Sequence, residues 1–236
     1  MHHVHLDNWS RGQSPLHRRD PRAKILALIV FLIVLATTPA NAALTLGIDA
    51  TLLIAGILIA GLPLAELLLR AMVVLPFSLT FGAISWLAGD RLRALALIEK
   101  SYISATAVLL VVGTTSLPAL LSGLERLGAP RMLVLVSQFL YRYLFVISEQ
   151  AQHMRLAARS RQGDPRFHRK GRFRAAAGAL AVLFARSYYR AEGIHRAMLA
   201  RAFTGRFPLL DSLHFRFADG AFLLAGTAFL ILVRVQ

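Results

Sequence analysis

The sequence contains no cysteine, which excludes a disulfide framework and any thiolate metal site. Lysine is scarce, with only Lys24, Lys100 and Lys170. None of them stands in a G-x-x-x-x-G-K-[ST] setting, so the chain has no phosphate loop and is not its own ATP-driven motor. H-E-x-x-H and G-x-S-x-G are also missing, and catalysis finds little support. Acids are few, 12 against 27 Lys+Arg in 236 residues, for a formal net charge of +15. His2, His3 and His5 with Asp7 place imidazoles on a chain end, but their spacing fixes no coordination geometry. We assign no metal, cofactor or catalytic residue, and read the N-terminus as unstructured or interfacial.

What is present is apolar. The chain is 56% hydrophobic with a mean hydropathy of +0.58. A soluble basic protein does not combine these properties; charge is costly in hydrocarbon and gathers outside it. Residues 122–216 hold 17 of the 27 Lys+Arg and 5 of the 12 acids. The partner implied is a lipid bilayer rather than nucleic acid. Charged residues before the first apolar run argue against a cleavable signal peptide.

A membrane helix needs about 20 mostly apolar residues. Uncharged runs extend from Ile25 to near Leu46, Ala71 to Gly89 and Ser101 to Leu121. Ala50 to Leu62 is shorter and borrows from its flanks, with Asp49 in the preceding turn. Gly220 to Val233 needs Phe217 to Asp219 to span. Asp49 and Asp219 are expected at water-accessible span ends. The pattern predicts an all-α integral membrane protein with about five transmembrane helices, a sixth being possible. Its parts are a basic N-terminus (1–24), a four-helix region (25–121), a basic helical module (122–216) and a final span (217–236). Lys and Arg counts of five in the first 24 residues and none in 39–49 orient the N-terminus and the basic module to the cytoplasm. The three in the expected turn Asp90 to Lys100, offset by Asp90 and Glu99, fit that orientation less well.

From Arg131 to Ser160 neither Pro nor Gly interrupts the chain. Leu140, Leu144, Ile147, Ala151, Met154 and Ala158 form one apolar stripe, and 30 residues of helix reach about 45 Å. Arg142, Glu149, Arg155, Arg159 and Arg161 lie off it. Ala177, Leu180, Phe184, Ser187, Ala191, Ile194 and Met198 repeat the design, with Arg201 next on the stripe if the helix continues. Gly163 and Gly205 are expected to stop the two helices. Each Ala-Arg pair, Ala158-Arg159 and Ala200-Arg201, then sits near a helix end with Glu149 or Glu192 upstream. A guanidinium offers a rigid fork to a partner carboxylate, and two copies imply two sockets. A dipole-favoured basic flank is the plainer account of either copy alone. His153 and His195 read as helix-surface residues.

Four blocks carry a family resemblance. They are "SPLHRRDPRAK" (14–24), "LERLGAPRMLV" (124–134), "YRYLFVISEQAQHMRLAARSR" (141–161) and "RAEGIHRAMLARAFTG" (190–205). Together they resemble the transmembrane T component of energy-coupling-factor (ECF) ABC-type transporters, nearest the CbiQ-like members associated with cobalt or nickel uptake. The resemblance implies a non-enzymatic scaffold of the inner (plasma) membrane. It joins two ABC-type ATPases, as a homo- or heterodimer, to a small substrate-binding membrane subunit. It also implies ATPase docking by Ala158-Arg159-Ser160 and Ala200-Arg201-Ala202, supported by Glu149, Met154, Gly163, Glu192, Met198 and Gly205. The family motif ends in Gly at its third position, where this chain has Ser160 and Ala202. Alternatives are a vitamin-specific or shared T component, an intramembrane enzyme acting on anionic lipid or isoprenoid substrates, and a basic anchor for anionic lipid.

Overall fold

The computed structural model describes residues 9, 10, 12, 14–161, 169–205 and 217–235. Among these, all regular structure is helical. The chain forms two compact units: Met1–Ala129 with Asp211–Gln236, and Pro130–Leu210.

In the first unit, α1 (Pro21–Thr37) begins where the Asp20 carboxylate accepts the Arg22 N–H at 2.9 Å. Pro21 follows at the first helical position, where no N–H is missed. Pro39 holds Thr38 in an extended conformation, φ −64° and ψ 132°, and α1 stops there. The expected span from Ile25 to near Leu46 is therefore two helices. The second, α2 (Ala43–Ala60), runs through Asp49, which is buried inside it at 3% exposure rather than lying in a turn.

Helices α3 (Leu64–Ala71) and α4 (Leu75–Leu87) form one stretch joined by a 3-10 turn, Met72–Val74. Pro76 explains the tighter turn, since its missing N–H breaks the i to i−4 ladder. Asp90 caps α5 (Arg91–Gly113) by accepting the Arg93 N–H at 3.1 Å. The expected turn at 90–100 is thus mostly helix. The expected span Ser101–Leu121 breaks at 114–116, before Pro118 in α6 (Leu117–Arg126). Finally, α9 (Phe217–Val235) recruits Phe217 to Asp219 as the span length required.

Among the described residues, three stretches are long and apolar enough to cross a membrane: Leu64–Leu87, Arg91–Gly113 and Arg131–Ser160. The last was not counted among the spans in the sequence. Helix α2 contributes a shorter apolar stretch, Leu44–Ala60. Large apolar side chains remain exposed along α4, including Phe77, Ile84 and Leu87, as expected where lipid tails replace water as solvent.

Phe31 and Leu35 of α1, Leu46 and Leu53 of α2, and Ile103 and Ala107 of α5 bury one another. Helices α4 and α5 touch at Gly82, where an added Cβ stands 2.9 Å from Ile98 Cδ1. Gly82→Leu is expected to destabilise this contact by about 1–3 kcal/mol. The readout is a lower melting temperature in detergent; no change would mean that α4 and α5 do not pack closely there.

The unit has two distinguishable ends. At one, the Lys100 ammonium donates to the carbonyls of Ala36 and Thr38, capping α1. The Arg91 guanidinium lies 5.2 Å from the centre of the Trp86 ring. At the other end, Trp9 and Leu16 pack on Ile57, Leu62 and Leu67. His17 ties the segment together: its Nδ1 is 2.7 Å from Ser14 Oγ and its Nε2 is 2.9 Å from Trp9 O. Arg70 stacks on Trp9 at 4.3 Å. The described residues from Trp9 to Arg19 are therefore built into the unit, whereas His2, His3, His5 and Asp7, on which the unstructured or interfacial reading rested, lie outside the described residues.

The second unit contains α7 (Arg131–Arg161) and α8 (Arg169–Ala200), 31 and 32 residues long.

Candidate functional site

Arginines at the ends of α7 and α8 are the candidates from sequence. Ala158, Arg159 and Ser160 occupy the last turn of α7 and are exposed. Ser160 Oγ donates to Leu156 O at 3.1 Å, folding that hydroxyl back onto its own helix. Glu149 is exposed and Met154 half-buried. Gly163, the expected stop, lies outside the described residues.

The second copy ends differently from the expectation. Helix α8 stops at Ala200, so Arg201 does not extend the stripe but sits in the closing turn, exposed. The Phe203 N–H reaches Met198 O and the Ala202 N–H reaches Leu199 O, both at 3.0 Å. This is a Schellman closure, and its left-handed residue is Ala202 at φ 52°. Gly205 has φ 78° but lies three residues beyond the closing one. The helix-stop role expected of Gly205 therefore belongs to Ala202.

Three other helices close with the same hydrogen bonds, at Gly61, Gly89 and Gly128, all with positive φ. Among the described residues, Ala202 is the one non-glycine with positive φ. A left-handed conformation costs an L-residue roughly 1–2 kcal/mol, so the chain holds its second motif in a strained turn. Ala202→Gly is expected to stabilise that turn by about 1 kcal/mol. Amide hydrogen exchange at Ala202 and Phe203 checks this: slower exchange in the glycine variant is the expected result, and unchanged or faster exchange contradicts it.

Helices α7 and α8 line a cavity of about 270 Å³ within their unit. From α8 it uses Ser187, Ala191, Ile194 and Met198, the lower part of the expected stripe. From α7 it uses Phe139, Tyr143, Ile147 and Gln150, a face rotated from the expected one, sharing only Ile147. Leu140 and Leu144 of the expected stripe are exposed, at 65% and 55%. The aromatic residues account for the rotation, since the Phe139 and Tyr143 rings stack at 6.2 Å and present more surface than Leu140 and Leu144. Glu192 pairs with Arg196 one turn along α8. Arg142, His153 and His195 are exposed.

A polar junction in the first unit was missed in the sequence. Lys24 is 3% exposed, and its ammonium donates to Thr114 O at 2.9 Å and Thr115 Oγ1 at 2.7 Å, stitching the start of α1 to the break after α5. Asp219, at the start of α9, accepts the Asp20 N–H at 3.4 Å and lies 3.7 Å from Arg19. It is buried, not water-exposed as expected. Arg22 lies 3.9 Å from the Asp20 carboxylate, whose Oδ2 is buried without a hydrogen-bond partner. The sequence signal was present: Asp20-Pro21 is a helix-start pair, and Lys24 is the last cation before an uncharged run. Among the described residues no group of three or more His, Cys, Asp or Glu is placed to hold a metal.

The residues of this junction and of both Ala-Arg motifs, Asp219 excepted, fall within a match to the family described as "Cobalt transport protein", CbiQ, which covers residues 12–209. The chain is similar to the ECF transporter transmembrane protein EcfT of Acidaminococcus fermentans, with 26% identity over 86% of this chain and 84% of that one. It is also similar to the cobalt transport protein CbiQ of Rhodobacter capsulatus, with 29% identity over 51% of this chain and 48% of the relative. An uncharacterised protein of Methanocaldococcus jannaschii matches at 25% identity over 65% of this chain, which spans 60% of that relative's length. On the extent of the family match, the chain belongs to the CbiQ family of cobalt transport proteins.

Proposed function

We propose that this chain is the T component of an ECF-type ABC importer, carrying cobalt or nickel, and that Arg159 and Arg201 dock it onto two ATPases. The observation that carries the reading is a repeated one: two helices of 31 and 32 residues, each with an exposed Ala-Arg pair at its C-terminal end or in the turn that closes it. The names of the Acidaminococcus and Rhodobacter relatives support the transporter class and the cobalt assignment.

Each arginine fork enters a groove on one ATPase and pairs with a carboxylate there. The small alanines beside each fork let the partner's surface approach closely. Closure of the ATPase pair on ATP then displaces the helix ends. Each helix, close to 50 Å long, carries that displacement toward a substrate-binding membrane subunit. ATP hydrolysis belongs to the partners. The chain sits in the plasma membrane with the Lys24 end of its first unit toward the cytoplasm.

The test is affinity purification of the tagged chain from its native membrane, with retained proteins identified by mass spectrometry. Wild type is expected to retain two ATPase subunits and a small membrane protein. The Arg159→Ala/Arg201→Ala double variant is expected to lose the ATPases while keeping its melting temperature. Absence of ATPase from the wild-type sample in mild detergent, or equal retention by the double variant, overturns the docking role.

A further inference from the structure

A cavity in the first unit has no part in the proposed docking. It measures about 310 Å³ and is walled by α1, α2, α5 and α9. Its sides are apolar, with Phe31, Leu53, Leu110 and Phe222 among them, and one end carries Lys24 and Thr114. Along α1 it runs from Lys24 to Phe31, seven residues or about 10 Å, which is about a third of the hydrocarbon thickness of a bilayer. Leu52 and Ile59 line it and are 37% and 59% exposed, so it opens sideways toward whatever surrounds these helices. An apolar engineered cavity of about 150 Å³ stays dry and accepts benzene; this one is twice that size and faces lipid.

We infer that the cavity takes one acyl chain of an anionic phospholipid, with the lipid's phosphate held at the Lys24 ammonium. A lysine ammonium has three donors, and two of Lys24's are bonded to Thr114 and Thr115. The local charge also fits. Arg19, Arg22 and Lys24 outnumber Asp20 and Asp219 by one, and exposed Arg18 adds to the excess. Basic residues next to a membrane segment attract anionic headgroups. The cavity has a cation at one end and hydrocarbon along its length, matching the two parts of such a lipid.

Filling the cavity tests the assignment. Gly56 lines it, and an added Cβ there meets only Leu110 Cδ2, at 3.1 Å. Gly56→Leu and, separately, Ala55→Phe place bulk in the space without touching Lys24. Leu58→Phe, at an exposed α2 position that does not line the cavity, serves as control. Each full-length protein is loaded with phosphatidylglycerol or phosphatidylcholine of the same acyl chains, delipidated stepwise in detergent, and weighed by native mass spectrometry. Wild type and the control are expected to keep one phosphatidylglycerol after the bulk lipid is gone, and both filled variants to lose it at least tenfold more readily. Equal retention in the filled variants overturns the proposal, and equal retention of phosphatidylcholine overturns the headgroup's place at Lys24. A wild type that holds no lipid, with the filled variants losing the small membrane protein instead, also overturns it and gives the groove to a partner helix.

Discussion

Lys24→Met is expected to destabilise the first unit by about 2–3 kcal/mol, because it removes two charge-assisted hydrogen bonds at a buried junction. The side chain keeps its length, so little packing is lost and the effect is electrostatic. Without the ammonium, the Thr114 carbonyl and Thr115 hydroxyl lose a charged donor at the α5 to α6 break. Asp20 and Asp219, whose side chains are 1% and 4% exposed and which lie 3.9 and 3.7 Å from Arg22 and Arg19, also lose the attraction of the Lys24 charge. A companion variant separates charge from shape. Asp219→Asn removes one of the negative charges that Lys24 balances, so Lys24→Met/Asp219→Asn should cost at least 1 kcal/mol less than the two single changes summed. Melting of the detergent-solubilised protein reads all three. A loss under 1 kcal/mol for Lys24→Met, or strict additivity in the pair, contradicts a coupled ionic junction.

At the two helix ends, Arg159→Ala and Arg201→Ala are each expected to weaken ATPase binding by about 2–5 kcal/mol, the cost of truncating one partner of a buried charge pair at an interface. At 1.4 kcal/mol per decade that is about 30-fold to a few thousandfold. With both sockets engaged, the second binding event is intramolecular, so each single variant stays attached through the other copy. The double variant loses that tether and is expected to fall below detection. The charge-preserving pair Arg159→Lys/Arg201→Lys discriminates further. A lysine keeps the charge but not the planar fork, so a bidentate socket is expected to lose at least tenfold, whereas a diffuse attraction to anionic lipid loses almost nothing. Titration of the ATPase pair against the chain in a lipid nanodisc measures these affinities. Near-equal binding by the lysine variant removes the socket and leaves only a basic anchor.

Helices were legible from local signals where those signals were used. The uninterrupted run from Arg131 became α7 close to the expected bounds, and the recruitment of Phe217 to Asp219 into α9 followed from span length. Boundaries went astray where charge was read before proline. Asp49 suggested a turn, yet Thr38-Pro39 makes the break, because the residue before proline is held out of the helical region. Asp90 was counted as part of a turn although it is a favourable N-cap. The facing stripe on α7 was misplaced because periodicity ranks Leu140 with Phe139 and Tyr143, while burial goes to the aromatic rings. The junction of Lys24, Thr114, Thr115 and Asp219 joins residues as many as 195 positions apart, and no local pattern contains it. Ala202 carries the opposite lesson: glycine signals placed the stop at Gly205, and the chain turned at a residue whose chemistry disfavours turning.

Lys100 has a consequence for how the protein is made. Insertion reads lysines and arginines near an emerging helix before tertiary contacts exist. With the Lys24 end cytoplasmic, as proposed, Arg91, Arg93 and Lys100 must travel to the opposite face. In the finished unit Lys100 is occupied by the carbonyls that end α1, and Arg91 by the ring of Trp86. The carbonyls that hold Lys100 become available only once α1 and α5 have met, whereas Trp86 lies five residues from Arg91 across the α4–α5 turn. The α4–α5 hairpin therefore passes through an early state with three cations on the wrong side, Lys100 still lacking its α1 carbonyls, and its orientation has to be imposed by the heavier positive charge that follows in 122–216. Removing that charge would be felt first during biogenesis, as inverted hairpins, before any contact in the folded protein was lost.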